Sequence, residues 1–194
     1  MKKSLSHAVL FTLASSVALA QAPTTTSTQM PARPPAAAAA PSGYLAEYVA
    51  EVDSVGKKLV ELAEAMPADK YGWRPAPGVR SVGEVYMHVV AGASTLPSFL
   101  GMKRMEGITR ESEKTVTDKA AIVPLLKKAV ANAREAGTFV APADLDKKVK
   151  TFGDQEMTER QVLARILYHM HEHLGQEIAY ARSNGIVPPW SKAD

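Results

Sequence analysis

Histidines at two places in this chain have the spacing to bind a metal together. One is His88, and three more, His169, His171 and His173, lie within a five-residue stretch. A helix over residues 158–182 would place His169 and His173 one turn apart, roughly 40° from each other around the axis and on the same face. Two imidazoles at this spacing can bind one divalent ion, and a third from another helix would complete the ligand set.

The same geometry separates His171 from the other histidines. It would lie about 200° from each of its two histidine neighbours, so we expect it on the opposite, solvent-facing side. His88 comes seven residues after Ser81, the predicted start of a second helix, beside the core candidates Val85 and Val89. We therefore expect His88 to face inward. The alternative interpretation is that the inward histidines are ordinary core residues and that the spacing arose by chance.

Three neutral imidazoles leave at least one coordination position of a metal open to water or substrate. A metal bound in this way can act as a Lewis acid or lower the pKa of a bound water or thiol. Imidazole suits zinc, nickel, copper(II) and iron(II), so the identity of the divalent transition metal stays open. The chain has no cysteine, which argues against copper(I) and iron–sulfur centres and excludes disulfides and a thiol nucleophile.

A histidine that binds a metal usually donates from its other ring nitrogen to a nearby partner. Candidate partners are Glu84, one turn before His88, and Glu172, Gln176 and Glu177 on the last helix. Helix capping by Glu84, solvent exposure of Glu172 and Glu177, and an interhelical contact by Gln176 are the simpler explanations. We favour Gln176 as a structural hydrogen-bonding residue and keep Glu172 and Glu177 as trial general bases. Three aromatic residues are candidates for a pocket mouth, although packing is the simpler role for each: Trp73, Tyr86 and Tyr168.

Four amphipathic helices are predicted to position these side chains. Apolar residues recur at three- and four-residue steps over 44–66, and Pro67 ends that segment. A capping box of Ser81 and Glu84 starts the second helix, which we expect to reach about Met102. The third covers roughly 117–139.

A second capping box, formed by Thr158 and Gln161, starts the last helix, which we expect to end near residues 184–185. Pro124 must either lie near the first turn of the third helix or kink it. Residues 140–157 are predicted to be irregular, with a short pair of strands. Four helices of about 20 residues predict an all-α four-helix bundle, in which metal sites are often built from facing helices.

The N-terminal segment is typical of an exported protein. Residues 1–20 resemble a signal peptide, with Lys2 and Lys3 before a short apolar run and a predicted cleavage after Ala20. Residues 21–42 are rich in Pro, Ala and Thr and predict a disordered linker. The folded domain is then 43–194, secreted or periplasmic, unless the N-terminal segment is retained as an anchor. No later segment has 18 uninterrupted apolar residues, so we expect no other membrane contact.

The charge of the chain gives no support to two classes of partner. The formal net charge is +3, and removal of Lys2 and Lys3 with the signal leaves 21 basic against 20 acidic residues. Such a balance gives no argument for binding nucleic acid or an anionic membrane surface.

Three stretches together resemble the DinB-like superfamily. They are residues 71–88, which end in His88, then His169-x-x-x-His173 with Leu-Gly-Gln after it, and finally residues 180–189. The resemblance covers roughly 43–190. It implies a four-helix bundle, often a homodimer, that holds a divalent metal through one histidine of the second helix and two of the last, which are His88, His169 and His173.

The chain departs from this family in two respects. Members commonly have arginine directly after the last ligand, where this chain has Leu174, so any anion or substrate contact of that arginine is missing. The signal sequence is also less usual. The resemblance implies a metal-dependent thiol transferase or isomerase, and metal-assisted hydrolysis of a small molecule is an equally tenable reaction for such a site. The alternative is a non-catalytic metal-binding or stress-related protein.

Overall fold

The computed structural model describes residues 41–191, and this part of the chain is mostly helical, as predicted. A single pair of three-residue strands accompanies the helices within these residues. The predicted signal peptide and nearly all of the predicted linker lie outside the described residues. No helix within residues 41–191 is both long and apolar enough to cross a membrane. The α-helices are α1 (Tyr44–Ala65), α2 (Val82–Thr95), α3 (Ser112–Thr115), α4 (Lys119–Phe139) and α5 (Glu159–Ser183).

The four long helices pack around one apolar core. Helices α1 and α2 both contact α4 and α5. The apolar positions predicted on α1 are all buried, and their removal from water is the main force that holds the helices together. The buried hydroxyl of Tyr48 also donates to the Ala133 carbonyl at 2.7 Å and links α1 to α4.

Both predicted capping boxes are confirmed. At the start of α2, the Ser81 hydroxyl accepts from the Glu84 N–H at 3.3 Å, and the Glu84 carboxylate accepts from the Ser81 N–H at 2.8 Å. At the start of α5, Thr158 and Gln161 make the same reciprocal pair at 3.2 and 2.8 Å. Because each box satisfies two backbone groups that a helix start leaves free, these short signals predict where both histidine-bearing helices begin.

Helix α2 ends earlier than predicted, at Thr95 rather than near Met102, and continues as a 3-10 turn over Leu96–Leu100. Pro97 has no N–H to donate to the Ala93 carbonyl, so the α-helical ladder is interrupted there. The side-chain amide of Asn132 on α4 donates to that carbonyl at 2.7 Å instead.

Two connections lie beside the histidine-bearing helices. The predicted strand pair is present, with β1 (Lys148–Lys150) antiparallel to β2 (Glu156–Thr158). The connection from α2 to α4 contains α3, which the sequence analysis did not predict and which packs against α2.

Helix α4 runs through Pro124 near its N-terminal end, where the exposed Ala120 carbonyl can be hydrated in place of its lost helical bond.

Candidate metal centre

The three histidines singled out by their spacing meet between α2 and α5. The ring centroids of His88 and His169 are 5.0 Å apart, those of His88 and His173 are 4.8 Å apart, and those of His169 and His173 are 4.6 Å apart. One ring nitrogen from each residue lies within 4.8 Å of the other two. Small ring rotations bring such nitrogens to metal–nitrogen bond lengths of about 2.1 Å, so the cluster fits one divalent transition metal.

Burial keeps two of these imidazoles neutral. Desolvation lowers the pKa of His169 to about 3, and the neighbouring His173 and His88 rings add to this effect. Desolvation also lowers the pKa of His173, although its hydrogen bond with Gln176 opposes the shift. Neutral imidazole is the form that binds a metal, so no proton has to leave either ring at neutral pH.

Glu113 on α3 orients the His88 ring. A carboxylate oxygen of Glu113 lies 2.6 Å from His88 Nδ1, and its other oxygen accepts from the Arg80 side chain at 3.0 Å. Burial alone would raise the pKa of Glu113, but the hydrogen bonds from His88 and Arg80 outweigh it and lower the pKa. An ionised carboxylate can only accept, so Nδ1 of His88 carries a hydrogen and Nε2 is the ring nitrogen available to a metal.

A chain of three hydrogen bonds orients the His173 ring in the same way. His173 Nδ1 lies 3.0 Å from Gln176 Oε1, Gln176 Nε2 donates to the Tyr180 hydroxyl at 2.8 Å, and this hydroxyl donates to the Arg80 carbonyl at 3.2 Å. Because the Tyr180 hydrogen is used on a carbonyl, Tyr180 accepts from the Gln176 amide nitrogen, and the amide oxygen therefore faces His173. His173 thus donates from Nδ1, which leaves its Nε2 lone pair free, and Gln176 is the one of the four candidate partners that contacts it.

Gly92 leaves space for the ring of His169. A Cβ atom at Gly92 would lie 2.3 Å from Cε1 of His169 and 2.8 Å from its Nδ1. Any larger residue at this point of α2 would displace His169 from the cluster. Gly92 is one turn after His88 on the same helix, so α2 supplies both a histidine and the space for its neighbour.

A cavity of about 640 Å³ opens beside the cluster and reaches His88 and His169. Its volume lies within the usual range for small-molecule sites, about 300–1,000 Å³. Its wall is partly apolar and partly cationic, and Tyr168 lies on it as the sequence analysis suggested. The charged residues on the cavity wall are Arg80, Arg104, Arg110, Glu113 and Arg165.

The remaining sequence candidates have other roles. His171 is exposed, as expected, and its Nε2 lies 3.9 Å from a carboxylate oxygen of Glu51. Glu84 serves the capping box and an ion pair with Arg74 at 3.2 Å and does not contact His88 through a hydrogen bond or ion pair in the described residues. Glu172 is exposed and is absent from the cavity wall. The capping and exposure explanations are therefore confirmed for these two acids.

Glu177 differs most from its expectation, because it is fully buried rather than exposed. It lies near the buried Tyr86, yet neither its carboxyl nor the Tyr86 hydroxyl has a partner at hydrogen-bond geometry within residues 41–191. Both residues belong to the core and are absent from the cavity wall. Trp73 packs edge-on against Tyr180, with ring centroids 5.3 Å apart. These positions exclude Glu177 as a general base and Tyr86 as a pocket-mouth residue.

Sequence reasoning missed Glu113, Gly92 and the arginines of the cavity. Glu113 lies in a connection without helical periodicity, 25 residues from His88. The spacing of Gly92, four residues after His88, was the one signal that could have marked it. Leu174 is buried in the core, so the side chain after the last histidine does not supply positive charge here. Arginines from the connections and from α5 supply it instead.

Comparisons with known proteins agree with this architecture. The family model described as the DinB superfamily matches residues 51–176. A DinB-like protein from Bacillus cereus ATCC 10987 has 22% identity and a TM-score of 0.60, covering 75% of this chain and 93% of that protein. The DinB-like protein YjoA from Bacillus subtilis has 23% identity and a TM-score of 0.55, covering 73% and 93%.

A search of curated proteins gives no match to this sequence. The two crystal structures support the fold alone, whereas the family model spans well over half of the chain and includes His88, His169 and His173. The chain belongs to the DinB superfamily.

Proposed function

We propose that this protein is an exported DinB-type four-helix bundle that binds one divalent transition metal through His88, His169 and His173. Zinc, nickel and iron are the candidates, since all three accept imidazole ligands. We further propose that it acts on a small molecule as a metal-dependent hydrolase or transferase. One observation carries the proposal: three imidazoles converge beside a cavity, and partners on Nδ1 leave Nε2 free in two of them.

The surrounding residues hold the histidine rings in an orientation and a protonation state suited to metal binding. Glu113 and Gln176 hold two rings in one tautomer, and burial keeps His169 neutral. A metal bound there would supply Lewis acidity toward a substrate in the cavity. Glu113 and Arg80 are the polar residues beside His88 that can orient such a substrate, although Glu113 already accepts two hydrogen bonds.

The alternative is a non-catalytic metal-binding or stress-related protein. The cavity beside the cluster favours a catalytic role, because a purely structural site is normally closed by four protein ligands. Thiol transfer is not favoured over hydrolysis, since the low-molecular-weight thiols of such reactions are cytosolic and the N-terminal segment predicts export. A homodimer remains part of the proposal through the family resemblance.

Metal content is the first test. The untagged full-length protein would be purified beside His88→Ala, His169→Ala and the matched control His171→Ala, and metals would be counted by plasma mass spectrometry. We expect about one metal per chain in the parent and the control, and loss in the two cluster variants while their circular dichroism is retained. Absence of metal in the parent, even after loading with zinc or nickel, would refute the site.

Two probe reactions then separate the proposed activities in the loaded protein. Hydrolysis is followed with p-nitrophenyl acetate, and thiol transfer is followed with glutathione and 1-chloro-2,4-dinitrobenzene. A rate that exceeds the His169→Ala background in one assay selects that reaction. A loaded protein that unfolds when a chelator removes the metal, and that is inactive in both assays, supports the structural alternative.

A further inference from the structure

The cavity beside the histidine cluster has a strong excess of positive charge. Four arginines line the cavity, and Glu113 is the one carboxylate on its wall. The chain as a whole is nearly balanced, with 23 Lys and Arg against 20 Asp and Glu. The excess is therefore a local property of the cavity and not a consequence of the overall composition.

All four cations are arginines, and no lysine is among them. The planar guanidinium group presents parallel N–H donors that match a carboxylate or a phosphate, and it keeps its charge at any physiological pH. A cavity lined in this way has the donors for an anionic group and the field to attract one.

Two of the arginines make no hydrogen bond and no ion pair within residues 41–191, although the charge of Arg110 acts on the neighbouring Glu111 carboxylate. Arg80 donates to Glu113 at 3.0 Å, and Arg165 donates to the Tyr168 hydroxyl at 2.7 Å. Arg104 and Arg110, in contrast, make no hydrogen bond and no ion pair in the part of the chain that the structure describes. Both lie on the connection between α2 and α3, as does Ile108, and all three line the cavity.

The wall of the cavity also offers apolar surface. Leu96, Ile108 and Phe152 line the cavity, and the Phe152 side chain is half exposed. Phe152 is held by an edge-on contact with Phe99, with ring centroids 4.8 Å apart. A ring that is both exposed and fixed in position is suited to cover the apolar body of a ligand.

We propose that the cavity binds a small organic anion, with its carboxylate or phosphate group on Arg104 and Arg110 and its apolar body against Phe152. This inference rests on the proposed function for the reaction at the histidines, but the anion subsite itself needs no metal. It names the substrate class of the site: a molecule with an anionic group at one end and a reactive group at the other.

The test uses three ligands of similar size that differ in charge: benzoate, phenyl phosphate and the neutral benzamide. Binding to the full-length protein would be measured by calorimetry, first after removal of metals with a chelator and then after loading with zinc. In the metal-free protein we expect both anions to bind at least about tenfold more tightly than benzamide, because charge-assisted hydrogen bonds are worth more than neutral ones. A preference between the two anions would identify the carboxylate or the phosphate as the group recognised.

Two variants of equal charge separate the subsite from the general field of the protein. Arg104→Gln combined with Arg110→Gln should remove the preference for anions, by roughly tenfold or more in affinity. Lys103→Gln combined with Lys114→Gln removes the same charge from exposed neighbours outside the cavity and should keep the preference. Circular dichroism would confirm that each variant is folded.

Each result has one interpretation. Equal affinities for benzoate, phenyl phosphate and benzamide in the metal-free parent would overturn the anion subsite, as would equal losses in the two double variants. Preference for anions in a protein that never takes up metal would retain the subsite and refute the proposed function. Metal uptake without any preference for anions would refute the subsite alone.

Discussion

Helix α5 carries two histidines and, one turn further on, a buried glutamate, and burial shifts the pKa values of the histidines and of the glutamate in opposite directions. Desolvation lowers the pKa of His169 and His173, so both imidazoles are neutral. One turn further on, desolvation raises the pKa of Glu177, so its carboxyl stays protonated. The same physical effect therefore leaves the two imidazoles in the neutral form that can bind a metal and favours a neutral carboxylic acid at Glu177.

The histidine cluster and the core acid Glu177 differ in what surrounds them. His88 and His173 have partners that orient their rings, and the cluster borders a cavity. Glu177 and Tyr86 lie near each other in the core, at less than full hydrogen-bond geometry, and both are absent from the wall of that cavity. A shifted pKa by itself does not mark a functional site in this protein. Convergence, oriented partners and access to a cavity distinguish the histidines from the core acid.

Gly92→Ala is expected to have the largest effect on the difference between the histidine cluster and the core acid. The added Cβ would lie 2.3 Å from His169 Cε1, so the ring must leave the cluster. Overpacking of this kind costs about 1–3 kcal/mol of folding free energy. We expect the affinity for zinc to fall by about a hundredfold or more, beyond the typical effect of losing a partner of a ligand. Competition with a chromophoric chelator would measure it.

Gly175→Ala is the matched control on α5. A Cβ at Gly175 meets no atom within 4 Å, so alanine should stabilise the helix by about 0.5–1 kcal/mol and leave zinc affinity unchanged. Equal zinc affinity in Gly92→Ala and Gly175→Ala would show that His169 is not a ligand.

Glu113→Ala should weaken the cluster without removing a histidine. Loss of the carboxylate frees the His88 ring to rotate and change tautomer, which typically lowers metal affinity about 10–100-fold. The exposed Glu106 lies on the same connection, and Glu106→Ala is the control for the lost charge. The two variants would be compared by the same chelator competition. If Glu106→Ala weakens zinc binding as much, the effect is one of overall charge and not of ring orientation.

Glu177→Gln should change the dependence of stability on pH while leaving the metal content unchanged. Above the ordinary pKa of 4.5 the unfolded chain releases the proton of Glu177, whereas the folded chain retains it. The unfolding free energy of the parent should therefore fall as pH rises from 4.5 towards the raised pKa, by about 1.4 kcal/mol per pH unit.

Glutamine has no proton to release, so this decline should be absent from the variant. Urea unfolding of the metal-free protein at several pH values between 4.5 and 9 would measure the difference. A parent and variant with the same pH profile would contradict the assignment of Glu177 as a protonated core residue.

The smallest effect is expected from Thr158→Ala at the start of α5. Removal of the cap that accepts from the Gln161 N–H costs about 1 kcal/mol, which corresponds to a melting temperature lower by about 2–4 °C. His169 lies three turns further along the helix, so zinc affinity should be unaffected. A melting temperature unchanged within error would show that the strand pair before the helix, and not the cap, fixes its start.

Much of the fold could be predicted because its signals are local. The apolar stripe of α1 and the capping boxes at Ser81 and Thr158 each involve residues within a few turns of one another, so short-range geometry decides them. The end of α2 differs from the prediction because Pro97 interrupts the helical ladder. The bond that compensates for it comes from Asn132, 39 residues away from Ala93.

The sequence by itself determined that His169 and His173 share a face of α5, since the helical period depends only on local backbone geometry. Placing His88 beside them required the family resemblance. Only the tertiary structure decided that Glu113 orients His88, that Glu177 is in the core, and that Arg104 and Arg110 lie beside the same cavity as the histidines. The physical reason is that these contacts join segments far apart in the chain, and packing of the helices, rather than spacing in the sequence, sets which side chains meet.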